Sequence, residues 1–121
     1  MTTNDTYLAV FLGSKTSSRM KAWMALPEAE RRAKGQQDMA AWKAWLEQHH
    51  AAVSAMGGPL GKTKKVTASG IEDVSNEMGA FIVVTVESHE AAAWLFKNHP
   101  HFTIYPGASV ETMPVLPIQG A

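Results

Sequence analysis

The stretch Ala80–Val86, AFIVVTV, constrains this chain more than any other. It is β-branched and aromatic, and no charged residue interrupts it, so it belongs in the middle of a sheet. A second apolar run, Tyr7–Gly13, is closed by its glycine and reads as a strand covered on both faces or nearly so. Val110–Val115 supplies a last strand. Pro114 cannot donate to a ladder, which assigns that residue to an edge or a bulge. Lys62–Ala68 is expected to form a strand with an exposed basic face. The turn-rich Ala68–Gly79 is expected to hold a ragged hairpin.

Helical spacing fills the gaps. Ser18 is the expected cap of a short helix through Met20, Trp23 and Met24. Pro27 suits a first-turn position, with Glu28 and Glu30 near the positive helix end. From there to Met56 the residues Met39, Trp42, Leu46, His49, Val53 and Met56 recur at spacings of three and four, one stripe for a sheet to cover. Gly35 is expected to bend or break that segment early, and Gly57, Gly58 and Pro59 to end it. Ser88 is a natural cap for a second helix that buries Ala91, Ala92, Leu95 and Phe96, with Asn98 and Pro100 as its stop.

The order is strand, helix, strand, strand, helix, strand. It predicts an α+β, ferredoxin-like βαββαβ fold with an antiparallel sheet and both helices on one face. The other face would stay bare and apolar. A second copy of the chain is the simplest cover, which makes a homodimer through the sheet face the expected partner.

The 121 residues are enough for one domain, assigned to 1–121 with residues 1–6 and 117–121 as flexible tails. Hydrophobic residues make up 45%, a globular fraction. Eleven basic residues balance eleven acidic ones, so the electrostatic footprint of a nucleic-acid binder is missing. There are no cysteines, hence no disulfide frame and no thiolate metal site. The start, MTTNDTYLAVFLG, has neither a basic leader nor a membrane-length apolar run, and a cytoplasmic location is expected.

Several motifs tempt and fail. Gly61, Lys62 and Thr63 spell the end of a phosphate loop, but the position five before Gly61 is Met56, and the loop would enter a strand rather than a helix. His89–Glu90 begins like a zinc-protease helix, yet Ala93 stands where the second histidine belongs. His99 and His101 bring two imidazoles together, and Glu111 can join them through folding. Three or four ligands are needed, so no metal site and no cofactor are assigned. Lys62, Lys64 and Lys65 read as a solvated strand edge, with capture of an acidic substrate group as the sharper alternative. Trp42 and Trp45 on the long helix are either core mass or the wall of an aromatic-lined pocket. His49 breaks the apolar stripe. Either a carbonyl or a buried water satisfies it, or it handles a proton in a pocket.

The segments WKAWLEQHHAAVSAMGGPLGKTKKV, GAFIVVTVESHEAAAWLFKNHPHF and GASVETMPV, in that order and spacing, resemble the YCII-related family over Tyr7 to about Leu116. The resemblance implies a dimeric α+β barrel, two ferredoxin-like sheets packed face to face. Better-known members are proposed to use a histidine on the long helix and an aspartate just before the proline of the corner motif. The matching places here hold Ala41 or Trp42 and His99, so His49 and His99 stand as the candidate catalytic residues. Trp42, Trp45, His101 and Glu111 are the candidate ligand-binding residues. The functional expectation is a small-molecule pocket between the sheet and the long helix, in an enzyme of unassigned reaction. The alternative is a non-catalytic accessory dimer without a pocket.

Overall fold

The computed structural model describes residues 4–119. Its elements are β1 (Asp5–Leu12), α1 (Ser18–Ala25), α2 (Glu28–Gln48), β2 (Val53–Pro59), β3 (Thr63–Thr67), β4 (Gly70–Val74), β5 (Met78–Val86), α3 (His89–Leu95), α4 (Pro100–Thr103) and β6 (Ser109–Pro114). Four strands form an antiparallel sheet in the order β2-β5-β1-β6, and β3 and β4 form a separate hairpin. This is the ferredoxin-like α+β arrangement expected from the sequence, with the hairpin inserted before the third core strand. The edge β6 carries Pro114, where a missing amide donor does no harm.

Register sorts the side chains. Tyr7, Ala9 and Phe11 pair with Val84, Ile82 and Ala80, so these positions share one face. That face is the core: Tyr7, Ala9, Phe11, Ile82 and Val84 are buried against Trp45 of α2 and Ala92 and Phe96 at α3, which puts both helices on the same side. Leu8 and Val10 pair with Val83 and Phe81 on one flank and with Met113 and Glu111 on the other, and these occupy the opposite face.

The second core strand lies elsewhere than expected. It is Val53–Pro59, not the segment from Lys62, and the long helix runs unbroken through Gly35 but stops at Gln48 instead of reaching Met56. The last helical bond joins the His49 amide to the Trp45 carbonyl. The His49 carbonyl then accepts from both Ala52 and Val53, and the chain turns into β2. Val53 and Met56 continue the three-and-four spacing only by coincidence. The central strand β5 needs a partner on its free flank, and pairing along it outweighs the weak strand preference of VSAMGGP. Gly61, Lys62 and Thr63 then lead from one strand into another, with no helix after them.

Smaller corrections follow the caps. Ser17, not Ser18, caps α1, its hydroxyl accepting from the Met20 amide at 3.1 Å. Ser88 caps α3 through the Ala91 amide, as expected. Asn98 sits at φ 60°, and Pro100 opens the next helix rather than merely stopping the last one. β1 begins at Asp5, inside the expected N-terminal tail: Asp5 and Thr6 pair with Val86 and Thr85. Residues 1–3 and 120–121 of the expected tails lie outside the described residues. His89 Nε2 donates to the Thr112 carbonyl at 2.8 Å and its ring stacks on Tyr7, a structural role.

Candidate active site

Two histidines are buried at the His99–Pro100–His101 corner, and each has one nitrogen committed to the backbone. The Nδ1 of His99 accepts from the His101 amide at 3.0 Å, capping α4. Its proton therefore belongs on Nε2, which is sealed from water and has no hydrogen-bond partner. The ring stands edge-on to Trp42 (centroids 4.4 Å, 80°) and to Trp45 (4.8 Å, 66°), beside Phe11. An aromatic surround of this kind suits a neutral imidazole rather than a charged one. Burial, then the neighbouring His101 and His49, push its pKa down to about 3.

His101 is held as tightly. Its Nε2 lies 2.8 Å from the Leu12 carbonyl, and its ring meets Phe11 edge-on and stacks on Tyr105. Burial lowers its pKa as well. Arg19 of α1 clamps the segment behind it, donating to the carbonyls of Phe102 (2.8 Å) and Gly107 (3.1 Å).

In front of this corner, between α2 and the β2–β5 side of the sheet, lies a cavity of about 580 Å³. Its walls are mostly apolar, with Phe11, Trp42, Leu46 and Met56 among them. Asp38, Lys43, His101 and Tyr105 are the groups with titratable side chains. Size and lining both suit a small organic molecule. A second cavity of about 850 Å³, under the β3–β4 hairpin, shares Gly79, His101 and Tyr105 with the first, so those residues form the partition between them.

The expected site residues divide. Trp42 and His101 stand on the cavity wall. His99 lies behind them, walled off by Trp42 and Phe11. Trp45 belongs to the core, its indole N–H donating to the Leu95 carbonyl at 3.1 Å. His49 is not on the stripe: it follows the last turn of α2 and packs on Trp45, outside the cavity. Glu111 pairs with Val10 on the opposite sheet face, exposed and away from the histidines. Lys64 pairs with Asp73 and Lys65 with Glu72 across the hairpin, which accounts for most of the basic patch.

The sequence reading missed Asp38 and Tyr105. Asp38 lies one turn before Trp42 on α2, and its Oδ1 is sealed from water without a hydrogen-bond partner. Burial pushes its pKa up from 3.8 to about 6. The sign of the consequence is definite. A carboxyl that titrates higher in the folded than in the unfolded chain adds stability at low pH, and that stability is lost as pH rises through 6. The Asp38→Asn protein is therefore expected to melt a few degrees above wild type at pH 7.5, with the gap closing as pH falls toward 4. The histidines act oppositely: with pKa values below their unfolded values, they cost stability as pH falls below 6.5. That cost is common to both proteins and cancels in the difference. Paired thermal melts across this range check it, and a pH-independent gap would refute the assignment.

The fold and its cavity define an antiparallel α+β protein with a ferredoxin-like sheet and a small-molecule-sized void under its long helix. No family model matches the chain, and no curated protein is significantly similar to it in sequence. Among solved structures it is similar to the 5-chloro-2-hydroxyhydroquinone dehydrochlorinase TftG from Burkholderia phenoliruptrix AC1100, in complex with 2,5-dihydroxybenzoquinone. The identity is 18%, the TM-score 0.52, and the match covers 89% of this chain and 90% of that one. At this identity the likeness is one of fold. No described helix is long and apolar enough to cross a membrane.

Proposed function

We propose that the chain is a single-domain, YCII-like homodimer that binds a small organic molecule in the cavity between α2 and the sheet, with Asp38 and Tyr105 as its free polar groups and His101 fixed in its wall. One observation carries the reading. Two of the three segments on which the family resemblance rests meet at this void: Gly57, Gly58 and Pro59 of the first, and Gly79 to Ile82 with His101 of the second. The dehydrochlorinase of the same fold, held in complex with a dihydroxybenzoquinone, supports a ring-sized ligand and an enzymatic role. The accessory-dimer alternative calls for no cavity larger than a water or two, and about 580 Å³ exceeds that many times over. Dimerisation is supported by the sheet face that carries Leu8, Val10, Val83 and Met113, none of which belongs to the core beneath the helices.

The test is a titration of the purified protein with toluene, followed by the indole N–H resonance of Trp42, alongside light scattering. Saturable movement of that resonance is expected, together with a mass twice the 13.1 kDa of one chain. A monomeric protein whose Trp42 signal ignores the ligand would overturn the reading.

A further inference from the structure

The polar chemistry of the cavity wall selects among ligand classes. This step rests on the small-molecule reading above. Of the titratable wall groups, His101 already has its Nε2 on the Leu12 carbonyl. Lys43 lines the cavity, is exposed and has no carboxylate partner among the described residues, so its positive charge stays uncompensated at the wall. The Tyr105 ring is stacked on His101, and its hydroxyl makes no hydrogen bond within the described residues. Asp38 differs from all three. It is held on a helix, only partly exposed, with one oxygen sealed and no donor within reach. The sealed oxygen leaves the carboxyl short of donors, which is costly, and a ligand that donates to its other, unsealed oxygen offsets that cost.

The donor's charge follows from the surroundings. A cationic amine would meet the like charge of Lys43 at the same wall, which offsets the pull of the single carboxylate, Asp38. A carboxylate or phosphate would meet Asp38 itself. A neutral hydroxyl meets neither objection. The apolar remainder, with Trp42 one helical turn from Asp38 and Phe11 and Met56 around it, suits a flat ring.

We propose that Asp38 anchors an uncharged, hydroxylated planar ring in this cavity, the ring lying against Trp42 and its hydroxyl donating to the Asp38 carboxyl. Asp38 is thus the residue that sets specificity for a phenol-like group over a methyl or an ammonium group. Burial that keeps the carboxyl titrating near 6 supports the same picture, because it marks a group short of hydrogen-bond donors.

Phenol, toluene and benzylamine are near in size and differ in the group offered to Asp38. Titrated at pH 7 against the Trp42 indole resonance, phenol is expected to bind the wild-type protein at least about ten-fold more tightly than either other probe, as hydrogen-bonded substrates outrank analogues lacking the group. Asp38→Leu is expected to erase that preference while leaving toluene binding intact or stronger. Asp38→Asn, which keeps an acceptor oxygen, should retain most of it. Phenol binding that survives Asp38→Leu undiminished, or benzylamine binding best, would overturn the anchor and leave the cavity reading standing. Failure of both phenol and toluene to move Trp42 would overturn the cavity reading and the anchor together.

Discussion

Replacing Gly107 by alanine is expected to cost this protein about 3 kcal/mol, a large share of the 5–15 kcal/mol that holds a domain of this kind together. A Cβ at this position would stand 2.3 Å from both Cε1 and Nε2 of His101 and 2.5 Å from the His101 carbonyl oxygen. Neither partner has room to yield. The imidazole is tied to the Leu12 carbonyl and packed between Phe11 and Tyr105, and it is only 7% exposed. The carbonyl oxygen already accepts from the Gly107 amide at 2.9 Å. Relief requires the loop to lift, which strains the Arg19 bonds to Phe102 and Gly107 and shifts His101 off the cavity wall. Urea denaturation should show the midpoint fall, and the Trp42 resonance should move even without ligand. Gly61→Ala is the control, since nothing lies within 4 Å of a Cβ there. Equal midpoints for the two variants would mean that His101 is not held as described.

The same corner shows how far sequence patterning reaches. β1 and β5 were legible because an uninterrupted apolar run has few other places to go. The missing donor of Pro114 allowed an edge or a bulge, and the edge is where β6 lies. The Ser88 cap followed from one hydroxyl ahead of an acidic first turn. β2 was not legible, because nothing local makes VSAMGGP a strand; its identity comes from β5, about 25 residues further on. That one error moved His49 off the stripe, since the helix ends just before it.

The site failed to appear for related reasons. Glu111 could be placed beside the histidines only while the register of β6 on β1 was unknown. Pairing with Val10 sends it to the far face, because side chains alternate along a strand. Asp38 looked like one polar residue among several in GQQDMAAW. The available signal was its spacing of four from Trp42, which puts a carboxyl and an indole on the same helix face. Tyr105 carried no periodic signal at all, because it lies in the turn after α4 and is positioned by the Arg19 clamp and by His101.

Gly57→Ala is expected to be at least as damaging as the change at Gly107, for a reason that the glycine pair in MGGPLG conceals. Gly57 has φ 57°, where an L-residue pays about 1–2 kcal/mol. A Cβ there would also fall 2.1 Å from the Phe81 carbonyl oxygen and 2.9 Å from its carbon, so the obstacle is backbone, not a side chain that can swing away. Phe81 cannot retreat, because β5 is paired on both sides, with β1 across from Val10 and with β2 itself. The ladder between β2 and β5 is already irregular between Ala55 and Gly58, and the left-handed glycine absorbs that irregularity as a bulge. Alanine should therefore strip β2 from the sheet, at a cost of about 4 kcal/mol when strain and close contact combine. Gly58→Ala, one residue on and with open space around its Cβ, should stay within about 0.5 kcal/mol of wild type. Because Gly57, Gly58 and Pro59 form one wall of the cavity, the Gly57 variant should also lose its response to aromatic probes at temperatures where most of it remains folded. Denaturation midpoints and toluene titrations on the two variants decide the matter: matching behaviour would mean that β2 does not turn at Gly57, and the wall that it builds for the ligand would have to be drawn elsewhere.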